Sequence, residues 1–222
     1  MAELTPNISW IDEITDAFNL SRGQNLDSGS SANVQSEFLA ALSNDNLRGQ
    51  SLLLSATNRP MDMTAQMRDR FTIIPVLAAL RGDFPAIVAA IARRLDPLAQ
   101  IDPLEPEVRA ATDTLYDKGA TPRALLQVLS EARRERDGVI DAATLKIAAR
   151  NYCESADRAS SIYADLTAVA YTKYLGFLPW AADPSAYEFP AHLRDVVDRG
   201  TGEVDRTALN RRIAELAPLA NV

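Results

Sequence analysis

The sequence predicts an α/β module followed by helices, and two observations carry that prediction. In the first third, short apolar runs of strand length flank a helical pattern. Beyond Val76, helical periodicity takes over. A chain of 222 residues, 47 % hydrophobic and 24 % charged, has the composition of a globular protein with a sizeable core.

Ile8–Ile11 is the first candidate strand, and it ends in two adjacent acids, Asp12 and Glu13. Ser51–Ala56 ("SLLLSA") is the second, and Phe71–Val76 ("FTIIPV"), β-branched and interrupted by Pro75, is the third. Between the first two, "SRGQNLDSGSSAN" is rich in Gly, Ser and Asn and reads as a loop. The stretch "VQSEFLAALSND" follows, placing Val34, Phe38, Leu39 and Leu42 on one helical face. Strand, helix, strand at this spacing implies a right-handed crossover and a parallel sheet.

Asp83 is positioned to cap a helix running to about Leu95, and Pro106 to open one that stops before Gly119. Thr121-Pro122 opens a third through about Arg136, and Asp141 a fourth ending near Tyr152. These four predict a second, all-helical domain. From Ser155, a longer amphipathic helix is expected, with Ile162, Leu166, Val169 and Tyr174 on one side. An irregular stretch, "GFLPWAADPSAYEFP", leads to a last helix from about Asp205 that buries Leu209, Ile213 and Leu216.

A net charge of -7 weighs against a protein built mainly to hold nucleic acid or an anionic membrane surface. Cys153 and His192 are the single cysteine and histidine, so neither an intramolecular disulfide nor a thiolate metal cluster within one chain is available. The first ten residues lack the basic start and apolar stretch of a signal peptide. No apolar run reaches the roughly 20 residues of a membrane span, so a cytoplasmic location is expected.

In open α/β sheets, ligands sit outside the carboxyl ends of the strands. The first strand presents Asp12 and Glu13 there, and the second presents Thr57-Asn58-Arg59-Pro60. Before the third stands "MRDRF" with Arg68 and Arg70, and the helical region adds "GATPRALL" with Arg123 in a first helical turn. Singly, each has an ordinary reading as a strand-end acid pair, a turn or a solvated face. Arg123 is harder to explain that way, because a cation in the first turn opposes the helix dipole by a few tenths of a kcal/mol, whereas an anion bound there would satisfy it.

Together, in this order, the four stretches resemble the AAA+ ATPase superfamily. "ISWIDE" is similar to a Walker B strand, "SLLLSATN" to a sensor 1 strand, "MRDRF" to the arginine-finger region and "GATPRA" to sensor 2 opening a lid helix. The resemblance covers roughly Met1 to Tyr152. It implies a partial P-loop NTPase core over 1–80 (a parallel sheet with helices, lacking the P-loop strand), a helical lid over 81–153 and a mostly helical C-terminal extension over 154–222. It also gives each residue a role. Asp12 would hold the Mg²⁺ that accompanies ATP, Glu13 would activate the attacking water, and Asn58 would position that water and sense the γ-phosphate. Arg123 would reach the nucleotide from the lid. Arg70, with Arg68 as second choice, would act in trans on ATP held by a neighbouring subunit. A residue needed in trans implies a homo-oligomeric ring, commonly hexameric in this superfamily.

The pattern G-x-x-x-x-G-K-[ST] occurs nowhere in the sequence; Lys118, Lys146 and Lys173 all lie beyond the α/β third. The resemblance places that loop upstream of Walker B, where "MAELTPN", read as the tail of a helix, is too short to hold it. A fragment, a start assigned at an internal Met and one half of a split enzyme all fit this pattern. The expected activity is ATP hydrolysis coupled to remodelling of a macromolecule, negligible in these residues alone. The alternative is a non-enzymatic adaptor that uses "YLGFLPW" to dock on an AAA+ ring. Phe177, Trp180 and Tyr187 would then form an interface or, more simply, anchor the tail. A nucleic-acid partner is not indicated, and no stretch of the sequence identifies the substrate.

Overall fold

The structure, a computed structural model, describes residues 7–17, 30–43, 51–153 and 158–220, with the side chains of 30–35 excepted. It divides into two compact units. The first draws on Met1–Val76, Ile162–Ser185 and Asp195–Val222; the second draws on Leu77–Ser161 and Ala186–Arg194.

In the first unit, β1 (Asn7–Ile11) and β2 (Ser51–Ser55) pair in parallel, with Ile8 opposite Leu52 and Trp10 opposite Leu54. Between them lie α1 (Ile14–Ala17) and α2 (Ser30–Leu42). The parallel pairing and the intervening helix agree with the sequence. However, α2 begins at Ser30, inside the stretch read as loop. The rest of that loop and "MAELTPN" before Asn7 lie outside the described residues. Ile14, Leu39, Met63 and Met67 are the buried centre of a small core, against which Ile11, Phe38 and Leu42 pack.

Phe71–Val76 is not a strand. Its side chains alternate as a strand's would: Phe71 and Ile73 pack on the core while Ile74 and Val76 face solvent. A strand also needs a ladder partner, and no described backbone pairs with this segment. The residues before it instead form a short helix, α3 (Ala65–Arg70), capped by the Thr64 hydroxyl, which accepts from Met67 N–H. The sequence reading had no helix there.

Most of α8 (Arg158–Tyr171) belongs to the first unit, from Ile162 onward, as does α9 (Arg206–Leu216). The α8 helix stops three residues short of Tyr174. That side chain is therefore exposed instead of lying on the buried face with Leu166 and Val169. The end of α8 is closed by Arg206, whose guanidinium donates to the carbonyls of Val169, Ala170 and Thr172. Trp180 is buried and donates its indole N–H to Gly202 O at 2.9 Å. Gly202 has φ 74°, and a Cβ there would sit 2.7 Å from Pro184, so only glycine fits.

The second unit contains α4 (Phe84–Leu95), α5 (Pro106–Asp117), α6 (Pro122–Glu135) and α7 (Ala142–Asn151). The boundaries follow the sequence signals. Proline opens α5 and α6, the Thr121 hydroxyl accepts from Ala124 N–H, and Asp141 and Thr144 form a reciprocal capping box. Gly119, at φ 73°, ends the turn after α5. Asp83 sits at the head of α4 but its side chain makes no capping hydrogen bond. Val88, Val108, Leu115, Leu125, Leu129 and Leu145 are completely buried at the centre of this unit. Lys118 closes the end of α7 by donating to the carbonyls of Ala149, Arg150 and Tyr152. No helix among the described residues is long and apolar enough to cross a membrane.

Candidate functional site

Parallel pairing brings the carboxyl ends of β1 and β2 side by side, because Ile11 and Ser55 are register partners. The chain leaves β1 through Asp12 and Glu13, and β2 through Ala56, Thr57 and Asn58. Two backbone bonds join these exits: Ala56 N–H donates to Ile11 O at 3.1 Å, and Ile14 N–H donates to Ala56 O at 3.0 Å. A third link connects side chains. The hydroxyls of Thr15, fully buried, and Thr57 lie 2.8 Å apart, and Thr57 Oγ1 also accepts from Arg59 N–H at 3.0 Å.

Glu13 carries two marks of a residue held for more than packing. Its φ is 49°, in the left-handed region that costs a residue with a Cβ about 1–2 kcal/mol. Its Oε2 is also buried without a hydrogen-bond partner among the described residues, an arrangement that native structures seldom tolerate without another use. The backbone in this conformation starts α1, with Glu13 O accepting from Asp16 and Ala17 N–H. Asp12 is exposed and accepts Glu13 N–H at 3.1 Å, leaving most of its carboxylate capacity free. Asn58 is exposed, and its side chain makes no hydrogen bond among the described residues. Asp12, Glu13 and Asn58 therefore all follow the carboxyl ends of the paired strands.

Arg59, which the sequence suggested was part of a turn, does start the turn Pro60–Asp62. It pairs with Asp62 at 2.8 Å and approaches Asp16 at 3.9 Å. The paired hydroxyls of Thr15 and Thr57 were missed by sequence reasoning. The available signal was a threonine just beyond the end of each strand.

The two arginines of α3 differ in engagement. Arg68 is half-buried, donates to Met63 O and stacks 4.4 Å above the Tyr171 ring. Arg70 is exposed, with Nε donating to Ser43 Oγ at 2.9 Å and Nη1 to Gln66 O at 3.0 Å. Arg123 belongs to the second unit, where it stands exposed in the first turn of α6, next to the Thr121 cap.

The donor set suits Mg²⁺ in one way. No group of three or more His, Cys, Asp or Glu side chains among the described residues forms a metal cage. A single strand-end carboxylate is what Mg²⁺ takes from a protein when phosphate oxygens and waters fill its remaining positions. Asp12 can hold that place, and the unpartnered Glu13 oxygen beside it can accept a proton or a water hydrogen.

Residues 1–77 match the family model described as "ATPase family associated with various cellular activities (AAA)". Comparisons with curated proteins and with solved structures return no match.

Proposed function

Since the chain belongs to the AAA+ ATPase superfamily through residues 1–77, we propose that it supplies the metal- and water-handling half of an ATP-hydrolysing subunit. The observation that carries this reading is Glu13. It is held in a left-handed conformation at the carboxyl end of a parallel strand, with a buried carboxylate oxygen that no described group satisfies. The unused acceptor supports reading Glu13 as the water-activating acid of the Walker B strand that the sequence resembles.

When bound, ATP with Mg²⁺ supplies the phosphoryl group and its charge-neutralising metal. This chain's residues handle the rest. Asp12 offers a carboxylate to the metal. Glu13 accepts a proton from water or orients it, which is general-base work. Asn58 donates or accepts at the same water from the neighbouring strand end. The link between Thr15 and Thr57 fixes the spacing between these two strand exits. Arg123, at the head of α6, acts as sensor 2 from a helical lid (81–153). Arg70 acts as the arginine finger on a neighbouring subunit in a homo-oligomeric ring of the hexameric kind common in the superfamily. Its exposure favours it over Arg68, which is engaged by Met63 O and Tyr171. The phosphate-binding loop comes from polypeptide outside these 222 residues, which contain no G-x-x-x-x-G-K-[ST].

Nucleotide titration and phosphate release test this reading. The 222 residues alone should bind ATP weakly and hydrolyse it negligibly. Joined to an AAA+ segment that carries a Walker A loop, they should turn over, and Glu13→Gln should stop turnover while sparing binding. Micromolar binding of ATP by the 222 residues alone would remove the argument for an external phosphate loop. The missing motif equally favours a second reading, an adaptor that lends Arg70 to another ATPase. In that case, the joined protein binds no nucleotide, whereas Arg70→Ala lowers the partner's turnover.

A further inference from the structure

The last residues of α8 and the turn after them form a surface whose build the ATPase reading does not require. Tyr174, Leu175 and Phe177 occupy a single 3₁₀ turn and are exposed at 62 %, 54 % and 40 %. The Tyr174 and Phe177 rings meet edge to face at 5.8 Å, so the turn presents a consolidated apolar face. It is anchored on both sides. Before it, Thr172 is buried and its carbonyl accepts from Arg206. After it, Leu178 is buried, and Trp180 is fixed by its bond to Gly202. Anchoring of this kind removes much of the ordering cost a contact surface would otherwise meet on binding.

The turn is also tied to the helix that carries Arg70. Tyr171 lies under the Arg68 guanidinium, and Lys173 Nζ pairs with Asp69 at 3.1 Å. Arg70 and Tyr174 therefore each sit one residue from the same ion pair. Arg68 and Arg70 flank Asp69 in the chain and Lys173 pairs with it, so three cations accompany one acid on α3 and just past the end of α8, on a chain whose net charge is -7. Net negative charge disfavours association of two copies, and local cations offset that repulsion where they lie. Asp12 and Asp16, exposed at the strand ends, offer complementary charge on another copy.

We propose that the Tyr174–Phe177 turn docks a second copy of this chain, as part of the contact surface that brings Arg70 to its neighbour. This rests on the reading of Arg70 as acting in trans and assigns to residues after the lid a role in assembly. The apolar turn supplies the contact energy, and the cations beside it set the orientation.

Sedimentation velocity on the full 222-residue chain, over a wide concentration range and without nucleotide, tests the proposal. The unaltered chain should self-associate reversibly. The triple variant Tyr174→Ser/Leu175→Ser/Phe177→Ser should associate at least about tenfold more weakly, as should Arg70→Glu. Leu98→Ser, at another exposed apolar site, should sediment like the unaltered chain. Near-ultraviolet circular dichroism of Trp180 should show that each variant is folded. Tyr174→Ser alone, the mildest change, should show a smaller weakening in the same direction. A chain that stays monomeric throughout, or a folded triple variant or Arg70→Glu that associates unchanged, overturns the proposal. Because no nucleotide is present, failure here leaves the assignment of Asp12 and Glu13 untouched. Glu13→Gln distinguishes the two readings: in the protein joined to a Walker A-bearing segment it should stop turnover, and in the 222-residue chain it should leave sedimentation unaltered.

Discussion

The strand pair of the first unit and the helical core of the second treat their apolar residues in opposite ways. In the second unit, Val88, Leu115, Leu125, Leu129 and Leu145 are completely buried, and caps, prolines and glycine mark where the helices stop. On the strand pair, register places Ile8, Trp10, Leu52 and Leu54 on one face, and that face is turned to solvent, with Ile8 72 % and Trp10 62 % exposed. The opposite face, which packs on the small core through Ile11, carries the half-buried Leu53 together with Ser9 and Ser55. A fully buried side chain of these sizes contributes about 1.5–3 kcal/mol, and the outer face forgoes it. The helical unit is thus built for its own stability. The strand pair holds the strained Glu13 at its end and gains less from burial. Parallel sheets are ordinarily covered on both faces, whereas this outer face is bare among the described residues.

The sharpest test of this contrast is a matched pair of core and strand-face substitutions. Leu125→Ala should destabilise the helical unit by about 2–5 kcal/mol in chemical denaturation, because it opens a cavity among fully buried neighbours. Trp10→Ser should change stability by no more than about 0.5 kcal/mol and lower the binding of a hydrophobic dye. Comparable losses in both variants would break the comparison.

A smaller effect is expected at Lys118, whose ammonium group donates to three carbonyls at the end of α7. Lys118→Met keeps the aliphatic stem and should cost about 1–3 kcal/mol, seen as faster hydrogen exchange confined to the last turn of α7.

Glu13→Gly should act in the opposite direction. It relieves the left-handed backbone and removes the unpartnered carboxylate, so the first unit should gain about 1 kcal/mol. A loss of stability on thermal denaturation would mean that Glu13 is held by contacts rather than strained against them.

The smallest effect should appear on acidification. Asp141 is held below the usual aspartate range chiefly by the Thr144 N–H it accepts, then by the Thr144 hydroxyl and Arg136; burial opposes them. Its folded pKa is lower than its unfolded one, so its contribution is complete above the ordinary aspartate value and is lost as pH falls through the depressed one. The α7 cap should therefore weaken only in that acidic window, and Asp141→Asn should flatten this part of the pH–stability profile.

The sequence announced the helical unit almost residue by residue, because proline, threonine, aspartate and glycine act locally at helix ends. It announced β1, β2 and their parallel pairing through apolar runs and spacing. It misplaced Phe71–Val76, where alternation is present but a ladder partner is not, since pairing is a non-local property no single segment encodes. Tyr174 was put on the buried side of α8 because periodicity does not report where a helix stops. At the site, Asp12, Glu13 and Asn58 were legible as strand-end residues. The strain at Glu13 was not, because a positive φ at a glutamate leaves no mark in the sequence. The hydroxyl contact of Thr15 with Thr57 depends on which strand ends become neighbours, so it too emerged only in the fold.

The central claim is that Glu13 is the water-activating group of an ATPase site. It is tested most directly by phosphate release from Mg²⁺–ATP, using these 222 residues joined to a Walker A-bearing AAA+ segment, with and without Glu13→Gln. The account predicts turnover in the unaltered protein and its loss, with ATP still bound, in Glu13→Gln. Equal turnover in the two proteins would contradict it.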